Sequence, residues 1–216
     1  MTKTSTVAKG QRGKSASRRQ DIADAAIELF LEKGVAATRV EDILSSANAS
    51  VGSFYHHFGD KHRLAAMVYL EHLERFQNDL LEEFERHDDT EEAVRALVIC
   101  LLRWVAADPQ AMKYMHQCRE SSVAEFSESE ETRLKQAFYG RLSQWLEERA
   151  AAGELRALPS ELGLALWFGP AEQLIRAAIE PSGYAKKTGA GALAKQLAQA
   201  ESVLADAAWA ALRSNS

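Results

Sequence analysis

The 216-residue chain is 46% hydrophobic and 26% charged, with twelve Gly, four Pro and two Cys. That is enough apolar material for one or two cored domains, too little Cys for a disulfide framework, and it includes neither an apolar membrane-length run nor an apolar leader. The net charge of −5 excludes an evenly basic coat, yet residues 1–61 carry nine basic against seven acidic side chains and the remainder seventeen against twenty-four. A basic end on an acidic body fits a head that binds a polyanion, and the expected setting is soluble, reducing and cytoplasmic.

Few Gly and Pro, plentiful Ala, Leu and Glu, and no alternating Val/Ile/Thr pattern predict an all-α fold. Residues 1–16 read as a flexible basic arm. From Ser17 a helix carries Ile22, Ala26, Leu29 and Phe30 on one face, and Gly34 ends it. Thr38 with Glu41 has the spacing of a capping box that opens a second helix with Val40, Ile43, Leu44 and Ala47 inward. Asn48 suits a left-handed turn, and Ser50 suits the cap of a third helix. Three short helices over 17–58 with a tight turn before the third have the layout of a helix-turn-helix.

Asp60 is placed to cap a fourth helix running to about Arg86, with Leu64, Val68, Leu73, Phe76, Leu80 and Phe84 as its apolar set. A helix capped by Thr90 follows, whose middle, "LVICLL", is apolar all round and predicts a central buried element. A short helix is expected after Pro109. Beyond the polar stretch 119–128, a longer one carries Leu134, Phe138, Leu142, Trp145 and Leu146 as far as Gly153. Ser160 caps the next, which Pro170 should bend or break. An exposed loop is expected over 181–191, then a last helix with Leu193, Leu197, Ala200, Leu204, Ala207 and Ala211 on one face.

The stretch "ASVGSFYHHFGDK" over 49–61 carries the chemistry. At about 100° per residue, Phe54 and Phe58 share an inward face, while Gly52, Ser53, Tyr55 and His56 fall on the other. Small residues at a helix start let the backbone approach base edges, and Ser, Tyr, His and Lys bond phosphates. The helix N-termini at Thr38, Ser50 and Lys61 add N–H groups for phosphate oxygens. Ser53, and Val51 against a thymine methyl, are the candidates for base reading. His57 reads as a packing residue.

Residues 17–64 resemble the DNA-binding domain of TetR/AcrR-type transcriptional regulators. The resemblance rests on A-x-x-L-F in the first helix, Gly34, Thr38, Ile43, Ala47, S-x-G-S-F-Y-x-H-F and Lys61. Asn48-Ala49 stands where that family usually has Gly-Val. The resemblance implies phosphate contacts from Thr38, Ser50, Tyr55, His56 and Lys61, a groove-facing Val51, Gly52 and Ser53, and secondary contacts from Arg18, Arg19 and Arg39. It also implies that 65–216 form a helical bundle that binds a small-molecule effector and dimerises through its last two long helices, and that the partner is double-stranded DNA carrying a pseudo-palindromic operator. The Ala, Gly and Leu content of 160–180 and 192–213 permits close packing against a twofold mate.

Candidate effector contacts are Trp104, Met115, His116, Arg119, Phe138, Trp167, Gln173 and Arg176, an aromatic and Met set with polar residues among it. Cys100 and Cys118 read as small buried hydrophobes. The six His include no i, i+4 pair, and no nucleophile elbow, phosphate loop or H-E-x-x-H occurs. No metal, cofactor or catalytic activity is expected. The rival readings are an all-α small-molecule binding protein or enzyme with a degenerate head, and a regulator that senses no ligand.

Overall fold

The computed structural model describes residues 5–119, 123–179 and 190–214, and the side chains of 17–118, 123, 125–179 and 191–214. Among them are nine helices and no strand: α1 (Ser5–Ala37), α2 (Val40–Ser46), α3 (Val51–His57), α4 (Lys61–Phe84), α5 (Thr90–Ala107), α6 (Pro109–Arg119), α7 (Ala124–Ala151), α8 (Ser160–Ile179) and α9 (Ala190–Leu212). Among the described residues no helix is long and apolar enough to cross a membrane. The chain forms two compact units, one from the residues up to His72 with Lys113–Glu128, the other from Leu73–Met112 with the rest from Ser129.

In the first unit, Ile22, Ala26 and Phe30 of α1, Ile43 of α2, Phe54 of α3 and Leu64 and Ala65 of α4 are sealed from solvent. Phe54 and Phe58 anchor α3, and fully burying one such side chain contributes about 1.5–3 kcal/mol. The unit is completed from far down the chain. Tyr114 of α6 stacks on Phe30 with ring centroids 6.3 Å apart and donates its hydroxyl to the Ala65 carbonyl at 2.8 Å.

Several local expectations hold. Gly34 interrupts α1 with φ 78°, ψ 156°, a conformation open to Gly at little cost. Asn48, at φ 46°, is the one non-Gly residue with positive φ among the described residues. Ser50 caps α3 by accepting the Ser53 N–H at 3.2 Å. The Asp60 carboxylate accepts the N–H groups of His62 (2.8 Å) and Arg63 (3.0 Å) and caps α4.

Others are corrected. The first helix starts at Ser5, not Ser17. The N-cap of α2 is Arg39, in extended conformation with no side-chain cap bond, so the Thr38–Glu41 capping box does not form. Asp89, not Thr90, caps α5, accepting the Glu92 N–H at 2.9 Å. The carboxylate accepts the same orphan donor one residue earlier and frees Thr90 to donate to Glu154. Pro170 does not break α8, which runs through it; Gly169 before it has no Cβ for the pyrrolidine ring to strike. The expected loop over 181–191 lies largely outside the described residues.

The second unit is built on α5, which packs against α9 and α8. Its Val94, Leu97, Val98, Leu101, Leu102 and Val105 are buried, whereas Ile99 and Cys100 are only half-buried, so α5 is covered on one side and not all round. Phe84, Trp145, Trp167 and Phe168 form an aromatic cluster, with Trp145 and Trp167 centroids 5.4 Å apart. The Trp167 indole N–H is satisfied by the Val94 carbonyl at 2.9 Å. At the rim of α5, Arg95 pairs with Asp206 and Arg103 with Glu201.

Candidate nucleic-acid interface

α3 has two turns, and its sequence divides them. Phe54 is 0% exposed and Phe58 6%, while Val51 is 59% exposed and Tyr55 54%. Ser50, Gly52 and His56 are exposed as well; Ser53 and His57 are half-buried. The face predicted to read DNA is therefore free of the protein, small at its start and polar-aromatic at its end. No neighbouring heavy atom lies within 4 Å of where a Cβ on Gly52 would sit, so its lack of a side chain serves nothing inside the protein.

Two imidazoles close the helix, His56 and His57, with centroids 5.1 Å apart. Burial holds the His57 ring below its ordinary basicity, and the neighbouring His56 and Arg19 push the same way. His57 is the packing residue expected.

Three predicted contacts are engaged by the protein itself. Thr38 is fully buried and its hydroxyl donates to the carbonyls of Gly34 (2.8 Å) and Leu29 (3.2 Å). It has no surface to offer a phosphate, which removes it from the contact set. Lys61 directs its ammonium to the carbonyls of Ala36 (2.7 Å) and Thr38 (2.8 Å). A cation at the start of α4 is poorly placed for that helix's dipole, and the carbonyl-rich end of α1 offsets this. An ammonium has three N–H groups, and these two carbonyls take two of them. Arg39 is exposed and bonds Asp42 at 3.2 Å, which raises its basicity further.

The effector candidates fall in both units. Met115, His116 and Arg119 fall in the first unit, and Trp104, Phe138, Trp167, Gln173 and Arg176 in the second. Met115, Phe138 and Trp167 are buried, Trp167 as a bonded core residue; Gln173 and Arg176 are exposed on α8. The Arg119 side chain lies outside the described residues. Trp104 alone of the set lines the groove described beside α5, a space of 440 Å³ bounded by Glu83, His87, Ala96, Ile99, Cys100, Arg103 and Trp104. Burial, with Glu83 and Asp79 nearby, pushes the Cys100 thiol up to about 11 and keeps it protonated. Sequence periodicity had no means of finding this groove, because its walls are the half-covered side of a helix that reads as apolar throughout. Among the described residues no group of three His, Cys, Asp or Glu is placed to hold a metal.

Residues 22–68 match the profile of the bacterial regulatory proteins of the tetR family. The chain's N-terminal head is thus similar to the DNA-binding part of that family. The HTH-type transcriptional repressor KstR2 of Rhodococcus jostii (strain RHA1) is 39% identical over 72 residues, 33% of each chain. A protein of Escherichia coli (strain K12) described as a probable acrEF/envCD operon repressor is 29% identical over 122 residues, 52% of this chain and 53% of its own. The chain thus spans between a third and about half the length of these curated relatives. Its fold is that of a TetR family transcription regulator from Marinobacter aquaeolei VT8 (TM-score 0.70, 19% identity, 95% of this chain and 99% of that one). It is also that of the transcriptional regulator FadR from Bacillus subtilis in complex with stearoyl-CoA (TM-score 0.67, 18% identity, 87% and 98%).

Proposed function

We propose that the chain is a DNA-binding transcriptional repressor that acts as a homodimer in the cytoplasm. A small-molecule effector bound in the second unit releases it from a pseudo-palindromic operator. The observation that carries this reading is the solvent-facing edge of α3, where Val51, Gly52, Tyr55 and His56 are exposed with the half-buried Ser53 among them, while Phe54 and Phe58 fix the helix from behind. Val51 and Ser53 read bases in the major groove. Ser50, Tyr55, His56, Arg39 and the spare N–H of Lys61 hold phosphates.

Homodimerisation is supported by Leu162 of α8 and Val203 of α9, large apolar side chains 47% and 64% exposed. Two copies then present their reading helices about 34–36 Å apart, one turn of duplex. The effector is a largely apolar molecule, and the groove at Ala96, Ile99, Cys100 and Trp104 is our candidate for its seat. An effector that prefers the wrong helix spacing by about 1–3 kcal/mol weakens DNA binding about 5- to 150-fold. The chain is a regulator, not an enzyme, in this reading.

The test is selection of bound duplexes from a random pool, followed by gel shifts. A palindromic consensus with half-sites one helical turn apart is expected. Equal affinity for selected and random DNA overturns the reading.

A further inference from the structure

Arg18 and Arg19, neighbours on α1, reach opposite ends of α3. The Arg18 Nη1 donates to the Asn48 carbonyl at 2.8 Å, thirty residues along the chain. Arg19 pairs with Glu71, and its guanidinium carbon lies 6.0 Å from the centre of the Phe58 ring. Asn48 is the left-handed residue of the turn into α3. The N–H groups of Ala47, Asn48 and Ala49 go back to α2, on Ile43, Ser45 and Leu44, and no described backbone N–H reaches the Asn48 carbonyl. The Asn48 carbonyl shares its peptide plane with the Ala49 N–H, which the Leu44 carbonyl holds at 2.9 Å, and Arg18 grips the other edge of that plane from α1, tying the turn into α3 to both preceding helices.

On this basis, and resting on the DNA-binding reading above, we propose that Arg18 is a positioning residue that sets sequence discrimination by the reading helix and is not a phosphate ligand. α3 is seven residues, about 10 Å long. A tilt of 10–20° about its buried Phe54 moves the tips of Val51 and Tyr55 beyond the about 0.5 Å tolerance of a productive contact. Phosphate contacts survive such a tilt, because they are long, flexible and electrostatic, whereas contacts to base edges do not.

The experiment uses the full-length chain, a duplex recovered by selection and a random duplex of the same length, between 50 and 200 mM KCl. Two variants, Arg18→Lys and Arg18→Met, are compared with wild type after circular dichroism confirms their helix content. Because Arg18 is exposed, both are expected to fold. Each should bind the selected duplex about three- to tenfold more weakly, the effect of one lost hydrogen bond on helix placement. Each should bind random DNA within about twofold of wild type, with an unchanged salt slope. A role in overall stability alone would leave the ratio of selected to random binding where it was.

Loss of both affinities in Arg18→Met, a salt slope smaller by about 0.9 per subunit and rescue by Arg18→Lys make Arg18 a phosphate ligand and overturn the proposal. Unchanged binding in both variants overturns it as well. A wild-type chain that fails to prefer any duplex defeats the DNA-binding reading itself, and this inference falls with it.

Discussion

Replacing Thr38 by Val removes one hydroxyl from a side chain that is 0% exposed. The hydroxyl has one proton, shared between the Gly34 carbonyl at 2.8 Å and the Leu29 carbonyl at 3.2 Å. The Gly34 carbonyl keeps the Thr38 backbone N–H at 3.2 Å, and Leu29 sits inside α1. Neither acceptor is orphaned. The loss is therefore that of one net hydrogen bond, about 1 kcal/mol, and not the larger penalty for an unsatisfied buried group. Thr38→Ser keeps the hydroxyl and gives up one buried methyl, about 0.8 kcal/mol; Thr38→Ala combines the two. All four tryptophans, Trp104, Trp145, Trp167 and Trp209, lie in the second unit, so fluorescence does not report the loss. Hydrogen exchange of the α1–α3 amides does, and about 1 kcal/mol raises exchange by global opening about fivefold. Wild-type exchange in Thr38→Val, together with weakened DNA binding, would show that the hydroxyl faces a phosphate and refute the reasoning.

Tyr55→Ala should leave helix content and melting intact, since the ring is more than half exposed, and weaken binding to selected and random duplexes alike in gel shifts. Lys61→Met removes two charge-assisted bonds at a partly exposed site, which should cost about 1 kcal/mol in urea denaturation of the first unit, and lowers the salt slope by about 0.9 per subunit as its spare N–H leaves the phosphate. His57 has a folded-state basicity below that of the unfolded chain, so its stabilising effect is full above the unfolded value, about 6.5, and fades as pH falls through the lower folded one. His57→Gln should flatten the acid-induced fall in melting temperature between pH 7 and 5. Val203→Asp places a charge at an exposed apolar site of α9, and sedimentation should show dimer giving way to monomer.

Local chemistry was the readable part. Ser50 and Asp60 act within three residues of themselves, and Asn48 declares its turn through a conformation few residues adopt, so each was visible in a short window. The inward pair Phe54 and Phe58 followed from helical pitch alone. Thr38 shows the limit: the S/T-x-x-E spacing is the same whether the hydroxyl turns forward to cap a helix or backward into the preceding one, and the extended Arg39 decides for the second. Arg18 on Asn48 and Lys61 on Ala36 span thirty and twenty-five residues, and no local pattern announces a bond of that range. The effector set meets a related limit. Residue type marked Trp167 as pocket-like, but the Val94 carbonyl and three aromatic neighbours make it core.

The seating of Tyr114 has a consequence for synthesis. The N-terminal head is not finished when its own helices have left the ribosome, because the ring that stacks on Phe30 and bonds Ala65 is encoded more than forty residues later. Until α6 emerges, Phe30 lacks its stacking partner, and the nascent domain carries an unfilled apolar face, the kind of surface that recruits chaperones or sticks to its copies. A fragment cut after His72 inherits that defect permanently.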